Sequence, residues 1–361
     1  MKEPFSYQLG EKVSTLLKHY VEGHVHFDPY TRGRYSTDAS IYQIAPFGVV
    51  VPKTMQDLVS AVEIAAEHNI PILSRGGGTS QCGQTVNEAI VIDCSQYLNK
   101  IVNFDYENMR ISVEPGIVLD HLNSYLKPHN LFFPVDISTA SRATIGGMTA
   151  NNSCGGRSIR YGIMVDNVHS IDALLINGEH ARFSDTPSDI KHSDGTKHYR
   201  HLVSSVREIA EREKSALEIY FPKLKRRVGG YNLDTIDPQG HNMAKLLVGS
   251  EGTLATFKNI ELYLQQIPQH KVMGVCHFPT FYAAMDAAQH LVKLDPVAVE
   301  LIDRTMIELA RNIPIFKSTI DSFVKGEPDA VLLVEFSGDE LGSLKGKLQE
   351  LDTMMSDLGY P

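Results

Sequence analysis

Three consecutive glycines after a short apolar strand restrict the fold of this chain more than any other feature. They lie in the segment Arg75-Gly-Gly-Gly-Thr-Ser80, which follows the predicted strand Ile70–Leu73. Because glycine has no Cβ, such a loop can adopt positive φ angles and turn several N–H groups toward one point. The loop therefore suits a diphosphate, with an ordinary strand-to-loop turn as the alternative for a glycine triplet taken alone.

Two common nucleotide-binding motifs do not fit this loop. Counted from Gly76, the G-x-G-x-x-G pattern requires glycine at position 81, where the chain has Gln81. No G-K-[ST] sequence follows, so the P-loop pattern also fails. A Rossmann NAD enzyme and a P-loop nucleotidase are both disfavoured.

The residues around the loop predict a small parallel β-α-β unit. Phe47–Val51 predicts a strand, and Thr54 with Asp57 three residues later predicts a helix that begins with a capping box. The helix itself is predicted from apolar residues at helical spacing: Leu58, Ala61, Val62 and Ala65. Ala89–Asp93 predicts another buried strand, which places the glycine loop at the carboxyl end of a strand in a small sheet.

A second glycine-rich stretch, Thr144–Gly156, strengthens this interpretation. It contains two glycine pairs around polar residues: Gly146, Gly147, Asn151, Asn152, Ser153, Gly155 and Gly156. Taken alone, the stretch could equally be the start of a helix with flexible flanks. Two backbone loops of this kind together predict a binding site for a long ligand that carries a diphosphate and a polar ring system.

Antiparallel hairpins are predicted between and after these loops. Lys100–Asp105 and Met109–Glu114 predict one hairpin, followed by a helix near Val118–His129. Ile171–Ile176 and His180–Phe183 predict another, joined by Asn177-Gly178 in a type I′ turn.

The later segments predict the end of this unit and the start of a second one. Pro187–Arg200 is polar and predicts a surface excursion, in which His198 and His201 are interpreted as solvated loop histidines rather than metal ligands. Leu246–Leu254 and Asn259–Leu264 predict the last strands. A new unit is predicted from Lys271, in the order strand Val272–Phe278, helix Phe281–Leu294, helix Thr305–Asn312, strand Ala330–Phe336 and a helix to Leu358.

Composition excludes several classes of protein. The 43 acidic residues outnumber the 34 Lys and Arg, and the resulting net charge of −9 disfavours nucleic acid as a partner. The single basic cluster, Lys223–Arg227, is interpreted as solvated surface. No apolar run reaches about 18 residues, so no transmembrane segment is predicted. We expect a cytoplasmic protein, with a peripheral position at the inner face of a membrane as an alternative.

The four cysteines restrict the redox chemistry. Cys82, Cys94, Cys154 and Cys276 lie far apart and form no C-x-x-C pair. This spacing predicts neither a zinc knuckle nor a disulfide framework, and it suits a reducing compartment. It also predicts that no iron–sulfur cluster is held within these residues alone, since such clusters need grouped thiolates.

Together these motifs resemble the FAD-binding domain of the vanillyl-alcohol oxidase / p-cresol methylhydroxylase (PCMH) type. The chain is most similar to the branch of glycolate oxidase flavin subunits, D-lactate dehydrogenases and D-2-hydroxyglutarate dehydrogenases. The matching motifs, in family order, are Arg75–Ser80, Val113–Gly116, Pro134–Asp136, Thr144–Gly147, Asn151–Gly156, Arg160–Gly162 and Val248–Leu254. Two further segments, Tyr30–Asp38 and Val228–Leu233, are similar to a bacterial subgroup in which a flavin module is fused to an iron–sulfur module.

The resemblance implies an α+β fold with three parts. Residues 1–40 would be an N-terminal helical extension, and residues 41–267 a two-subdomain PCMH-type FAD-binding domain. That domain would combine a small parallel β-α-β part with an antiparallel sheet and helices. Residues 268–361 would be a partial α+β cap (substrate) domain with about one β-α-β round.

The resemblance also implies which residues bind FAD. The pyrophosphate loop falls on Gly76, Gly77, Gly78, Thr79 and Ser80. The second FAD segment falls on Pro134, Asp136, Thr144, Gly147, Asn151, Ser153, Gly155 and Gly156. Thr79 occupies the position of the histidine that attaches FAD in covalent members, so non-covalent FAD is implied.

The implied reaction is oxidation of a 2-hydroxy acid of the D-lactate, glycolate or D-2-hydroxyglutarate class, with hydride passing to the flavin N5. The electron acceptor would be an iron–sulfur module, a quinone or another carrier, and an iron–sulfur cluster is implied only if a further C-terminal module exists. The family's glycine- and histidine-rich motif for substrate and metal is not found, and no catalytic residue is assigned. Among the weaker candidates are His277, Arg304, Tyr161 and Glu251.

Two alternatives remain open. The chain could be an FAD-binding subunit or a truncated fragment without catalysis of its own. It could also be an FAD reductase like the UDP-N-acetylenolpyruvoylglucosamine reductases. Their first loop has a similar sequence, but their second loop has a different one.

Overall fold

The computed structural model describes residues 7–192 and 195–360. The outer ends of the first and last predicted domains, residues 1–6 and 361, lie outside these ranges. The strands are β1 (His24–His26), β2 (Gly48–Val51), β3 (Ile72–Arg75), β4 (Ile90–Asp93), β5 (Ile101–Asp105), β6 (Arg110–Val113), β7 (Leu131–Phe132), β8 (Val168–Leu174), β9 (His180–Phe183), β10 (Asp185–Pro187), β11 (Gly240–Asn242), β12 (Thr256–Tyr263), β13 (Gln265–Gln266), β14 (His270–Phe278), β15 (Ala298–Asp303) and β16 (Ala330–Gly338).

Helices of different lengths connect these strands. The α-helices are α1 (Tyr7–Tyr20), α2 (Pro29–Arg34), α3 (Met55–Glu67), α4 (Leu119–Leu126), α5 (Ile145–Asn151), α6 (Ser158–Tyr161), α7 (Met164–Asn167), α8 (Lys197–Arg212), α9 (Lys214–Tyr220), α10 (Ala244–Leu247), α11 (Phe281–Leu291), α12 (Arg304–Asn312), α13 (Pro314–Phe323) and α14 (Leu341–Asp357). Short 3₁₀ helices in the described ranges cover Lys127–His129, Ile190–His192, Leu233–Thr235 and Val292–Leu294.

The chain divides into two compact units. The first contains the residues up to Phe133, Ser138–Ser153 and Ile163–Gln265. The second contains Pro134–Ile137, Cys154–Gly162 and the residues from Gln266 onward. Short segments near the second glycine-rich stretch therefore belong to the same unit as the C-terminal part of the chain.

A four-stranded sheet in the first unit carries the glycine loop. Its order is β1-β2-β4-β3, in which β2, β4 and β3 are parallel and β1 is an antiparallel edge strand. The predicted β-α-β unit is therefore present. Helices α1 and α3 bury an apolar cluster against this sheet, with Val13, Leu17, Leu58 and Val62 almost fully inaccessible. Residues 7–40 thus contribute both a helix and an edge strand to this sheet.

The predicted capping box of α3 is confirmed. Thr54 Oγ1 accepts a hydrogen bond from the N–H of Asp57 (3.1 Å), and the Asp57 carboxylate accepts one from the N–H of Thr54 (3.3 Å). Asp57 is only 2% exposed and also accepts from the N–H groups of Glu22, Gly23 and Lys53. One carboxylate therefore joins the end of α1 to the beginning of α3.

An antiparallel five-stranded sheet, in the order β5-β6-β12-β8-β9, completes the first unit. Both predicted hairpins are present, but the type I′ turn at Asn177-Gly178 is wrong. Gly178 has a φ of +81°, whereas Asn177 is absent from the positive-φ residues of the described chain. A wider loop forms instead because Leu175 and Glu179 are hydrogen-bonded (2.9 Å) and the Asn177 side chain accepts from the N–H of Glu179 (3.1 Å).

Two other local predictions are corrected. The segment Leu246–Leu254 is not a strand, because Ala244–Leu247 is helical and positive φ angles at Gly249, Glu251 and Gly252 keep the following residues in a loop. His198 and His201 do not lie in a loop but in α8, whose buried residues recur at helical spacing. His198 is exposed and paired with Glu179.

The second unit contains a three-stranded antiparallel sheet in the order β14-β16-β15. Helices α11 and α14 pack on one face through an apolar cluster that includes Phe278, Ala284, Leu332 and Leu351. Helices α12 and α13 contribute a smaller cluster around Val331. The element order β14-α11-β15-α12-α13-β16-α14 is richer than the single β-α-β round predicted, because β15 and α13 were missed.

The mixed helix-and-sheet content of both units confirms the α+β fold class. No helix in the described ranges is both long and apolar enough to cross a membrane.

Candidate cofactor site

The first glycine loop packs directly against the loop that precedes α5. A Cβ on Gly76 would lie 2.1 Å from Oγ1 of Thr144, and a Cβ on Gly77 would lie 2.4 Å from the carbonyl oxygen of Arg142. Both distances are far below van der Waals contact, and the second involves backbone that cannot rotate away. Only glycine therefore allows these two predicted segments to meet, and the structure brings them together within the first unit.

The third glycine turns the loop. Gly78 has a φ of +63°, which favours glycine, and a Cβ there would lie 2.9 Å from Nη2 of Arg75. Its carbonyl accepts a hydrogen bond from the N–H of Ala39 (3.1 Å). After the turn, Ser80 Oγ donates to the side-chain oxygen of Gln84.

Thr144 begins the second predicted segment. Its side chain, 1% exposed, accepts from the N–H of Gly147 (3.3 Å) and caps α5. Close by, a Cβ on Gly146 would lie 2.7 Å from the carbonyl oxygen of Pro115, and the N–H of Gly146 donates to that oxygen (2.8 Å). The glycines of this helix thus let it lie close to the backbone of the preceding segment.

The end of α5 is fixed by a fully buried asparagine. Asn152 has a left-handed φ of +52°, and its Oδ1 accepts from the N–H of Val165 (3.0 Å). The N–H groups of Gly249 and Glu251 donate to carbonyl oxygens near the end of α5, those of Thr149 (2.9 Å) and Ala150 (3.1 Å). The motif Val248–Leu254 therefore supports the second segment.

Four of the predicted residues, Pro134, Asp136, Gly155 and Gly156, lie in the second unit. A Cβ on Gly155 would lie 1.8 Å from the carbonyl oxygen of Asp136, and Asp136 Oδ1 accepts from the N–H of Arg157 (3.1 Å). Gly156 faces a flexible neighbour instead, the carboxylate end of Glu300. Pro134 is buried and precedes Asp136 by two residues. The structure brings Asp136 and Gly155 together as it does Gly77 and Arg142.

Three predicted side chains keep their polar groups available for a ligand. Thr79, Asn151 and Ser153 are half-buried, and their side chains form no hydrogen bond with other described residues. With the surrounding backbone N–H groups they provide neutral donors and acceptors. Such donors fit a diphosphate and the polar edges of a flavin.

The weaker catalytic candidates have structural partners. Nε2 of His277 accepts from the N–H of Lys325 (2.9 Å). Arg304 pairs with Asp329 (2.8 Å), and the neighbouring Asp303 caps α12 by accepting from the N–H of Met306. No sequence pattern indicates these partners, which come from other elements. None of the geometry around His277 or Arg304 suggests proton transfer.

Two family models match the chain, in the order of the two domains that the sequence predicts. Residues 46–184 match the family described as "FAD binding domain", and residues 267–360 match that described as "FAD linked oxidases, C-terminal domain". The chain belongs to the FAD-linked oxidases. FAD is therefore its cofactor.

Curated relatives are similar over most of this chain. It is 32% identical over 357 residues to the D-2-hydroxyglutarate dehydrogenase of Pseudomonas putida, which covers 94% of this chain and 35% of that protein. It is 30% identical over 352 residues to the enzyme of the same name from Haemophilus influenzae, covering 94% and 34%. The glycolate oxidase subunit GlcD of Bacillus subtilis is 28% identical, covering 88% and 58%. The chain thus spans about a third of the length of the first two relatives.

Solved structures share the fold. An alkyldihydroxyacetonephosphate synthase superposes with a TM-score of 0.70 at 19% identity, covering 99% of this chain and 60% of that one. A substrate-bound p-cresol methylhydroxylase superposes with a TM-score of 0.67 at 15% identity, covering 98% and 65%. At these identities the similarity shows the fold alone.

Proposed function

We propose that this chain is the flavin-binding part of an FAD-dependent oxidoreductase that oxidises a 2-hydroxy acid. The observation that carries the proposal is the contact of Gly76 and Gly77 with Thr144 and Arg142, which joins two loops of the type that holds FAD. Relatives named for oxidation of D-2-hydroxyglutarate, D-lactate and glycolate support the substrate class.

Within this proposal, predicted residues either bind FAD or hold the backbone that binds it. The N–H groups of Gly76–Ser80 hold the diphosphate, and Thr144 keeps α5 in place beside them. The side chains of Asn151 and Ser153 bind polar edges of the cofactor, and Asp136 fixes the backbone at Gly155. When bound, FAD supplies the two-electron acceptor for the oxidation.

The substrate side is proposed only at the level of class. A 2-hydroxy acid needs a cation for its carboxylate and a base or metal for its hydroxyl proton. We assign neither to a residue of this chain. The electrons would pass to an iron–sulfur module, a quinone or another carrier outside the chain.

Anaerobic titration tests this proposal. The purified protein, reconstituted with FAD, should lose its visible flavin absorbance on addition of D-2-hydroxyglutarate, D-lactate or glycolate, because the flavin accepts the electrons. We expect D-2-hydroxyglutarate to be the best of the three, since several relatives about 30% identical carry its name. Bound flavin that no hydroxy acid bleaches would favour the alternative of an FAD-binding part without catalysis of its own.

A further inference from the structure

A short segment before the matched FAD domain is hydrogen-bonded to the first glycine loop. We call Tyr35–Ala39 the strap; it lies outside residues 46–184, which match the FAD-binding family. The N–H of Ala39 donates to the carbonyl of Gly78 (3.1 Å), and Oδ2 of Asp38 accepts from Oγ1 of Thr85 (2.7 Å). The strap therefore holds the loop both at its turn and near its end.

Arg75 connects the strap to both ends of the loop. Its Nη1 donates to the carbonyls of Tyr35 (3.1 Å) and Thr85 (3.0 Å), and its Nη2 donates to the carbonyl of Thr37 (2.7 Å). The guanidinium also lies over the Tyr35 ring, 5.3 Å from its centre. Tyr35 is itself fixed by donating to Asp93 (2.6 Å). One side chain thus bonds two carbonyls of the strap and one carbonyl that follows the loop.

The positive charge of Arg75 is not neutralised by these bonds. All three acceptors are neutral carbonyls, and the contacts of Arg75 within the described residues include no carboxylate at ion-pair distance. Nη2 is also close to Gly78, at 2.9 Å from the position of a Cβ there. A fixed cation therefore lies beside the loop that would hold a diphosphate, and such a charge attracts an anion strongly in a partly buried site.

We propose that Arg75 and the strap are part of the cofactor site. Arg75 positions the glycine loop through three carbonyls and supplies a fixed positive charge for the FAD diphosphate. The inference rests on the proposed function, because it takes the glycine loop as the diphosphate loop. Arg75 is a positioning residue, and it acts on the cofactor through the loop and through its charge.

Arg207 offers a matched control in the same unit. It is more deeply buried than Arg75 and also donates to three carbonyls, those of Thr186, Pro187 and Ser188. It lies outside every predicted FAD segment. Replacing either arginine by Met removes one charge and three hydrogen bonds, so the two variants separate a general loss of structure from an effect on the cofactor.

The experiment measures FAD affinity of the apoprotein by flavin fluorescence at low and high salt, together with its melting temperature. Arg75→Met should raise the FAD Kd about 10- to 100-fold, the usual effect of losing a charged hydrogen-bonding group. Arg75→Lys should lose less FAD affinity, because lysine keeps the positive charge. Arg207→Met should lower the melting temperature while the Kd stays within about threefold of wild type. The salt dependence of Kd should be weaker in Arg75→Met than in wild type.

The outcomes separate this inference from the proposed function. Wild-type protein that binds no FAD would overturn the proposed function. Wild-type binding with an unchanged Kd in folded Arg75→Met would overturn the inference alone. Should Arg75→Met not fold, Arg75→Lys and Thr85→Val replace it, since the latter removes only the Thr85–Asp38 hydrogen bond. Wild-type affinity in both of those variants would then reject the role of the strap.

Discussion

At the scale of single residues, the glycines act through close packing as much as through turning. Gly77 has no positive φ, yet a Cβ would lie 2.4 Å from the carbonyl oxygen of Arg142. Because Gly77 has no side chain, the two loops can pack against each other without a bound ligand. Gly155 and the carbonyl of Asp136 repeat this arrangement in the second unit.

Gly77→Val should therefore abolish FAD retention. The new side chain would force the backbone at Arg142 away, which overpacks the contact at a cost of about 1–3 kcal/mol and separates the two loops. FAD content after gel filtration and the apoprotein melting temperature are the measurements. Gly229→Val is the control, because nothing lies within 4 Å of a Cβ at Gly229. If Gly77→Val stays folded and keeps its flavin, the assignment of this loop to the cofactor is wrong.

Sequence patterns predicted the residue types of the site better than their partners. The capping box of Thr54 and Asp57 was predictable because its residues are three apart and belong to one helix. The bonding role of Arg75 could not be predicted from the sequence. Its hydrogen bond to Tyr35 spans 40 positions, and its acceptors are main-chain carbonyls that carry no sequence signal. The same holds for the contact between Gly77 and Arg142.

At the scale of elements, local sequence signals predicted helices and strands correctly where hydrophobic periodicity was analysed. They failed where it was not. The polar excursion predicted over Pro187–Arg200 includes only the first turn of helix α8, and the helix goes unrecognised although Tyr199, Val203, Arg207 and Ala210 are buried at helical spacing. The buried arginine hid this pattern because it counts as polar. In contrast, Leu246–Leu254 was read as a strand from its apolar residues, and its glycines at positive φ made it a loop.

Asp57 should make the stability of the first unit dependent on pH in the acidic range. Burial raises the pKa of this carboxyl, but hydrogen bonds from backbone N–H groups, with that of Lys53 the strongest, and from Thr54 outweigh it, so the pKa lies below the ordinary 3.8. A lowered folded pKa means that the stabilisation is complete above the unfolded pKa and is lost as pH falls through the folded value.

Asp57→Asn should thus lower the free energy of unfolding by about 1–3 kcal/mol at pH 7, because an amide satisfies these N–H groups less well. The difference from wild type should shrink as the pH falls below the ordinary pKa of 3.8 and through the lowered pKa of Asp57. Urea unfolding across this range measures it. Asp120→Asn, at an exposed position in the first turn of α4, is the control. A difference that stays constant with pH would contradict the role of the ionised carboxylate.

At the scale of the whole molecule, the predicted FAD residues fall in both compact units. Gly76–Ser80 and Thr144–Ser153 belong to the first, whereas Pro134–Asp136 and Gly155–Gly156 belong to the second. The chain passes from one unit to the other within the second glycine-rich stretch, between Ser153 and Cys154. A sequence reading treats that stretch as one motif, so its division could not be predicted from spacing.

Hydrogen exchange with and without FAD tests the two groups of residues independently. If the assignments are right, FAD should slow amide exchange at 76–80 and 145–153 and also at 154–157, because each contributes N–H groups to the cofactor. The basic segment Lys223–Arg227 should exchange equally in both states. At an FAD concentration 100 times Kd, the chain should also gain about 2.7 kcal/mol in stability, visible as a higher melting temperature. Protection confined to 76–80 and 145–153 would remove Gly155 and Gly156 from the cofactor site, while leaving the contact between the two loops of the first unit intact.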